Sequence, residues 1–250
     1  MIALKNSEQL RLMKEAGRIT GEALLVAGEA IRAGISTKEL DDKIRQYIEK
    51  CGARPSFLGY GGFPGSACIS INDEVIHGIP SPKKILQDGD IVKVDVGACY
   101  RGMHGDSART FAVGKVSADA ERLIEVTEAA FFEAVKMAIP GKRIGDIGHA
   151  AQACAENAGF SVVRAYVGHG IGMELHEEPE VPNFGHERRG VRLYPGMTIA
   201  IEPMINAGGY EVRSLSDHWT VVTADGSLSA HYEHTVAITN DGPILFTDIR

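Results

Sequence analysis

Five ionisable side chains stand where a folding chain normally places apolar ones. Asp95 lies in IVKVDVG, Asp106 in HGDSART, His169 in VGHGIG, Glu202 in TIAIEP and Glu233 in HYEHTVAI. Each sits in or beside a run of Ile, Val or Ala that reads as a strand. A charge in such a setting is costly unless it is paired or bound to metal. Any one of them alone reads as an edge-strand residue facing water. Five on four apolar segments would need five such excuses, so a shared cation site is the simpler reading.

The two aspartates carry a geometric clue. The segment 91–113 contains a turn near Tyr100-Arg101-Gly102 and reads as a hairpin. A loop centred between residues 100 and 101 sets Asp95 directly opposite Asp106, with Cβ atoms about 4.5–5.5 Å apart. Like charges at that spacing repel unless a cation lies between them. A register shifted by one residue would turn the two carboxylates to opposite faces. Four carboxylates match the charge of two divalent ions. Five ligands are too few to fill two separate shells, so bridging carboxylates and a bridging water or hydroxide are expected, with the ions about 3.5–4 Å apart. One imidazole among four carboxylates favours Mn, Fe, Co or Zn over Ca or Mg.

Apolar residues at every third or fourth position (Leu10, Met13, Ala16, Thr20, Ala23 or Leu24, Ala27, Ile31) predict a helix over 7–32, which Gly34 stops. Ser36 and Glu39 form a capping box, and Leu40, Ile44 and Ile48 give the following helix its buried face before Gly52. Strands are expected over 69–71, 91–96, 109–113, 161–167, 198–202, 220–223 and 231–239. Between them, Leu123, Val126, Ala129 or Ala130, Phe132 and Val135 or Met137 form one helical stripe, and Ile147, Ala151 and Ala155 another. Moving the chain by 107 residues puts Gly34 on Gly141, Gly52 on Gly159, and Leu40, Ile44 and Ile48 on Ile147, Ala151 and Ala155. That repeat implies an α+β fold of two similar halves with a ligand cleft between them.

Composition narrows the class. The chain has 250 residues, 44% hydrophobic and 24% charged, with a net charge of −7, which suits a globular protein rather than a disordered one. An acidic balance argues against general nucleic-acid or anionic-membrane binding. No apolar run approaches a membrane span, and the first residues lack a signal-peptide pattern. The four cysteines form no C-x-x-C motif, so reduced thiols in a cytoplasmic protein are expected. Gly168, Gly170 and Gly172 leave backbone room beside His169, as the approach of a ligand would need. His77 and His176 flank these motifs; His149, His186 and His218 read as structural or exposed, and His104 stays unassigned.

At these residues the sequence resembles the methionine aminopeptidases, in their short type I form, of the pita-bread metallopeptidase fold. The resemblance runs the length of the chain. It rests on SINDEVIHGIP, VDVGACYRGMHGDSART, YVGHGIGMELHEEP, TIAIEPMI and YEHTVAIT, which carry five ligand positions in the family's order. It implies one catalytic domain over 1–250, with pseudo-symmetric halves of about 1–115 and 116–250 and antiparallel sheets backed by helices. It also implies that Asp95, Asp106, His169, Glu202 and Glu233 bind two divalent ions. Asp95 would serve one ion and His169 the other, Asp106 and Glu233 would bridge, and Glu202 would double as general base. His176 would contact the scissile carbonyl and His77 the backbone nitrogen of the second substrate residue. Tyr60, Phe63, Cys68, Leu175 and Trp219 would form the methionine pocket. Some family members carry Tyr in place of Phe63 and Phe in place of Leu175; both departures keep the pocket apolar. A monovalent cation would sit near Asn72, Glu74 and Ser229, largely on backbone carbonyls. The implied activity is removal of the first methionine from nascent chains and peptides with a small second residue, through hydroxide attack on the first peptide carbonyl. A monomer acting on chains emerging from the ribosome is expected. Two alternatives stand beside it: an Xaa-Pro peptidase, which usually carries an extra N-terminal domain, and a non-catalytic binding protein, which would lose metal ligands.

Overall fold

Residues 2–249 are described by the structure, a computed structural model. Helix α1 (Ser7–Ala30) buries Met13, Ala16, Ile19, Ala23, Leu24 and Ala27 along one face. Asn6 caps it: the Gln9 N–H donates to the Asn6 side chain and the Asn6 N–H to the Gln9 side chain. Helix α2 (Thr37–Lys50) starts on the expected box, in which the Glu39 N–H donates to Ser36 Oγ and the Ser36 N–H to Glu39 Oε2. Strands β1 (Arg54–Pro55), β2 (Ala67–Ile71), β3 (Glu74–Ile76), β4 (Ile91–Tyr100) and β5 (Met103–Ala112) follow. β4 is the spine of an antiparallel sheet, with β5 on one edge and β1 and β2 on the other. Ile19, Ala23, Ile44, Ile48, Val92, Val94 and Val96 join helices and sheet in one core.

The second half repeats the plan. It comprises α3 (Ala118–Val135), α4 (Ile144–Asn157), β6 (Ser161–Val162), β7 (Gly168–Gly170), β8 (Glu177–Val181), β9 (Thr198–Ile201), β10 (Met204–Asn206), β11 (Val212–Ser214), β12 (Val221–Thr223), β13 (Ser229–His231), β14 (His234–Thr239) and β15 (Gly242–Leu245). Its main sheet runs β15-β14-β9-β7-β8. A 107-residue shift carries α2 onto α4 end to end. It also carries the isolated Ser36–Ile85 bridge onto Arg143–Arg192. Gly34 and Gly141 have φ of +90° and +92°, Gly52 and Gly159 +73° and +85°. Gly52 and Gly159 directly follow the caps of α2 and α4, Gly34 and Gly141 lie in the loops before those helices, and glycine adopts these left-handed positions without strain.

Three expectations change. The strand expected over 161–167 exists only as β6, and pairing resumes at β7. The strand expected over 231–239 breaks at Tyr232-Glu233, because β13 pairs with β10 whereas β14 pairs with β9. The buried stripe of α3 runs through Leu123, Thr127, Ala130, Phe131 and Ala134, one residue away from Val126, Ala129 and Phe132. α4 covers one side of α3 and the β10 and β13 strands another, so the helix turns its buried face to satisfy both. Thr127 enters this core with its hydroxyl donating to the Leu123 carbonyl at 2.7 Å.

Candidate active site

The hairpin register differs from the expectation in an instructive way. Tyr100 pairs with Met103, leaving a two-residue turn at Arg101 and Gly102 with φ of +49° and +83°. Positive φ at both central residues is the turn that matches strand twist. It sets Asp95 opposite Ala108 and Asp106 opposite Gly97. The aspartates are therefore diagonal rather than direct neighbours. They still share one face of the pleat.

Glu202 and Glu233 arrive by another route. Pairing of Ile201 with His234 and of Met204 with His231 continues one register across two strand breaks, which places Glu202 opposite Glu233. Pro203 has no N–H to give to a ladder, which accounts for the break beside Glu202. The 107-residue shift carries Asp95 onto Glu202. The two strand pairs meet back to back: the Glu233 N–H donates to the Ala108 carbonyl at 2.9 Å and the Ala108 N–H to the Glu233 carbonyl at 3.3 Å. Ser107 Oγ donates to the same Glu233 carbonyl at 2.6 Å.

His169 completes the group from β7, opposite Ala200. Its Nδ1 lies 2.8 Å from the Gly170 carbonyl, so Nδ1–H donates there and the Nε2 lone pair is left for the cluster. That nitrogen stands 3.8 Å from Asp106 Oδ2 and 3.6 Å from Glu202 Oε1. One ligand atom each from Asp106, His169 and Glu233 all lie within 4.8 Å of one another, close enough to hold a metal ion. Asp95 Oδ1 and Asp106 Oδ1 are buried without a partner. Orphaned acceptors of this kind fit a cation.

Electrostatics agree with geometry. Burial pushes Asp95 up to about 7. Burial, reinforced by neighbouring carboxylates, lifts Asp106, Glu202 and Glu233 well above the usual carboxylate range. Burial and the neighbouring His176 pull His169 down to about 3, so its imidazole is neutral and available as a ligand. One further imidazole escaped the sequence reading. His231 is fully buried, neither ring nitrogen has a hydrogen-bond partner, and Nε2 lies 3.9 Å from both Glu202 Oε2 and Glu233 Oε2. Its position two residues before Glu233, hence on the same face in a regular strand, was the available signal.

The cluster forms the floor of a cleft of about 710 Å³, counting its open mouth. All twelve residues expected for metal, catalysis and the methionine pocket line it, joined by Phe57 and Gly61. The His176 ring lies 4.2 Å from that of His169 between centroids, tilted by 59°, and its Nδ1 lies 2.7 Å from the Tyr60 hydroxyl. Phe63 meets Trp219 edge-on at 5.1 Å. Cys68 pairs with Asp95 across β2 and β4, and burial, then the charges of Asp95, Asp106 and Glu233, hold it as a thiol. Burial and the nearby His176 pull His77 down to about 4. The glycines around His169 serve the sheet rather than a ligand. A Cβ on Gly168 would stand 2.3 Å from the Ala200 carbonyl oxygen, and one on Gly170 2.3 Å from that of Glu178.

Asn72, Glu74 and Ser229 lie outside this cleft. Ser229 meets the Asn72 carbonyl through its N–H, and that carbonyl and Glu74 adjoin Lys93. Its side chain is fully buried, and Nζ donates to the Asn72 carbonyl at 2.7 Å. Burial pulls Lys93 down to about 7, against the pull of Glu74, Asp73 and Asp90.

Residues 11–240 match the model of Metallopeptidase family M24. The methionine aminopeptidase of Clostridium perfringens is 54% identical over 250 residues, covering all of both chains. Methionine aminopeptidase 1 of Bacillus subtilis is 50% identical over 249 residues, again with full coverage of both. The solved structure of methionine aminopeptidase from Thermotoga maritima superposes with a TM-score of 0.98 at 43% identity, over 99% of this chain and 100% of that one. Fold, acid–imidazole cluster and these likenesses agree: the chain belongs to metallopeptidase family M24, among the methionine aminopeptidases.

Proposed function

We propose that the chain hydrolyses the first peptide bond of peptides and nascent proteins that begin with methionine, preferring a small second residue. One observation carries this reading: four carboxylates, Asp106 and Glu233 buried and Asp95 and Glu202 part-buried, and an imidazole floor an apolar cleft with two more histidines in its walls. The donor set and the orphaned aspartate oxygens fit two divalent ions of the Mn, Fe, Co or Zn class. Asp95, Asp106, His169, Glu202 and Glu233 would hold them, with Asp106 and Glu233 shared. Such ions, when bound, supply hydroxide near neutral pH and a ligand site for a free α-amine.

The remaining steps belong to side chains. Glu202 takes the proton of the attacking water and passes it to the leaving amine. His176 donates to the developing oxyanion from Nε2. The Tyr60 O–H, donating to Nδ1, keeps the proton on that far nitrogen. His77, neutral at physiological pH, faces the backbone nitrogen of the second substrate residue. Tyr60, Phe63, Cys68, Leu175 and Trp219 receive the methionine side chain, where sulfur–aromatic contacts contribute about 0.3–1.5 kcal/mol each.

We further read the chain as one catalytic domain with halves meeting near residue 115, a cytoplasmic monomer that acts on chains leaving the ribosome. No helix among the described residues is long and apolar enough to cross a membrane. The deciding experiment strips the metal and restores each candidate ion in turn. Turnover of Met-Ala and Met-Gly peptides, with Met-Lys and Met-Leu poor, is the expected result. Cleavage of Xaa-Pro peptides instead would indicate an Xaa-Pro peptidase. Absence of any bound ion would indicate a binding protein.

A further inference from the structure

Among fully buried side chains, Lys93 is the largest, and nothing in the proposed chemistry uses it. It lies two residues before Asp95 on β4, and its Nζ reaches the turn between β2 and β3. Asn72, at φ +51°, forms that turn. The Asn72 carbonyl accepts from Lys93 Nζ at 2.7 Å and from the Ser229 N–H at 3.1 Å. A carbonyl oxygen has two lone pairs, so both are used. The side chains nearby are committed as well. Asn72 Oδ1 accepts the Ile91 N–H at 3.0 Å, and Nδ2 donates to Asp90 Oδ1 at 2.8 Å. Glu74 accepts the Ile71 N–H at 2.9 Å and pairs with Lys84. Ser229 Oγ donates to the Ile205 carbonyl at 3.3 Å.

The Asn72 carbonyl, already turned to an ammonium and an N–H, therefore does not fit the free monovalent cation that the family resemblance implies beside Asn72, Glu74 and Ser229. We propose that the Lys93 amine is a tethered cation that takes this ion's place, pinning the 72–74 turn, which the Ser229 N–H joins to β13, to the strand that carries Asp95. The carboxylates of Glu74, Asp73 and Asp90 lie around it as counter-charges. A tether keeps its amine at the turn whatever the ionic composition of the medium, so the turn is held without an ion-binding equilibrium. This inference concerns stability and does not rest on the proposed peptidase activity.

Thermal unfolding of the metal-loaded wild-type protein, with potassium, sodium and choline chloride exchanged at constant ionic strength, tests it. The expected melting temperature is the same in all three. A saturable rise in potassium or sodium over choline would overturn the proposal. Lys93→Ser vacates the position while leaving room for an ion. It is expected to melt lower in choline and to regain at least about 2–4 °C in potassium or sodium. A folded Lys93→Ser protein that responds to neither ion would also overturn the proposal. Should this variant fail to fold, the wild-type titration decides alone.

Discussion

Strand β4 and the β9–β10 run occupy equivalent places in the two halves, 107 residues apart, yet they are built differently. β4 is an unbroken strand of ten residues, whereas the second run is interrupted at Glu202-Pro203. In the first half the position opposite Asp95 is Ala108, and the acid is displaced to Asp106. In the second half the position opposite Glu202 is the acid Glu233 itself. The reason lies at the junction. Ala108 and Glu233 bond to each other through their backbones, and Ala108 is fully buried, so a carboxylate at both equivalent positions would crowd one point. Near symmetry thus supplies four acids around one centre, and departure from symmetry lets them share it.

That comparison can be broken directly. Asp106→Ala and Glu233→Ala should each reduce activity to background and lower the bound metal per chain, as read by elemental analysis of folded protein. Ala108→Asp should not rescue Asp106→Ala. Recovery of metal binding in the double variant would show that the halves are interchangeable after all. His176→Ala, which removes a group from the second half that leans on Tyr60 of the first, should cost roughly 10²–10⁴ in kcat/KM with metal content unchanged. A loss under about threefold would remove His176 from the chemistry.

The acid cluster also sets a pH dependence for metal-free protein. Its carboxyls titrate higher in the folded state than in the unfolded one. Their contribution to stability is therefore fully present below the ordinary carboxylate range and is lost as pH rises through their raised folded values, about 7 for Asp95 and well above the ordinary range for the other three. Chelated protein should melt at lower temperature at pH 8 than at pH 5.5, and adding metal should restore most at the higher pH. Equal melting temperatures would mean that the acids do not crowd one another. The smallest contrast lies in the helix caps. Ser36→Ala should cost about 1 kcal/mol by denaturant unfolding, and Arg143→Ala, at the equivalent place, only a few tenths. Ser36 accepts an N–H through its hydroxyl; Arg143 offers its backbone N–H to Asp146 and no side-chain cap.

Much of this arrangement was legible beforehand. Helical periodicity located α1, α2 and α4, because each has one apolar face and a glycine stop. The five proposed ligand positions showed themselves as charges inside apolar runs, and the proposed pocket residues followed from the family resemblance. What escaped was register and direction. Whether the β4–β5 turn falls at Arg101-Gly102 or one position earlier depends on dihedral preferences that the apolar pattern does not encode. The buried stripe of α3 depends on which neighbours cover it. His231 resembles any strand histidine until its neighbours are known.

Local chemistry was therefore written in the sequence: which segments coil, which extend, and which side chains cannot bear burial without a cation. Tertiary structure alone decided that Glu202 faces Glu233 across paired strand breaks and that Lys93 reaches the Asn72 carbonyl. Such relations join residues tens of positions apart, and their geometry comes from sheet pairing and packing between the halves, which no local pattern specifies.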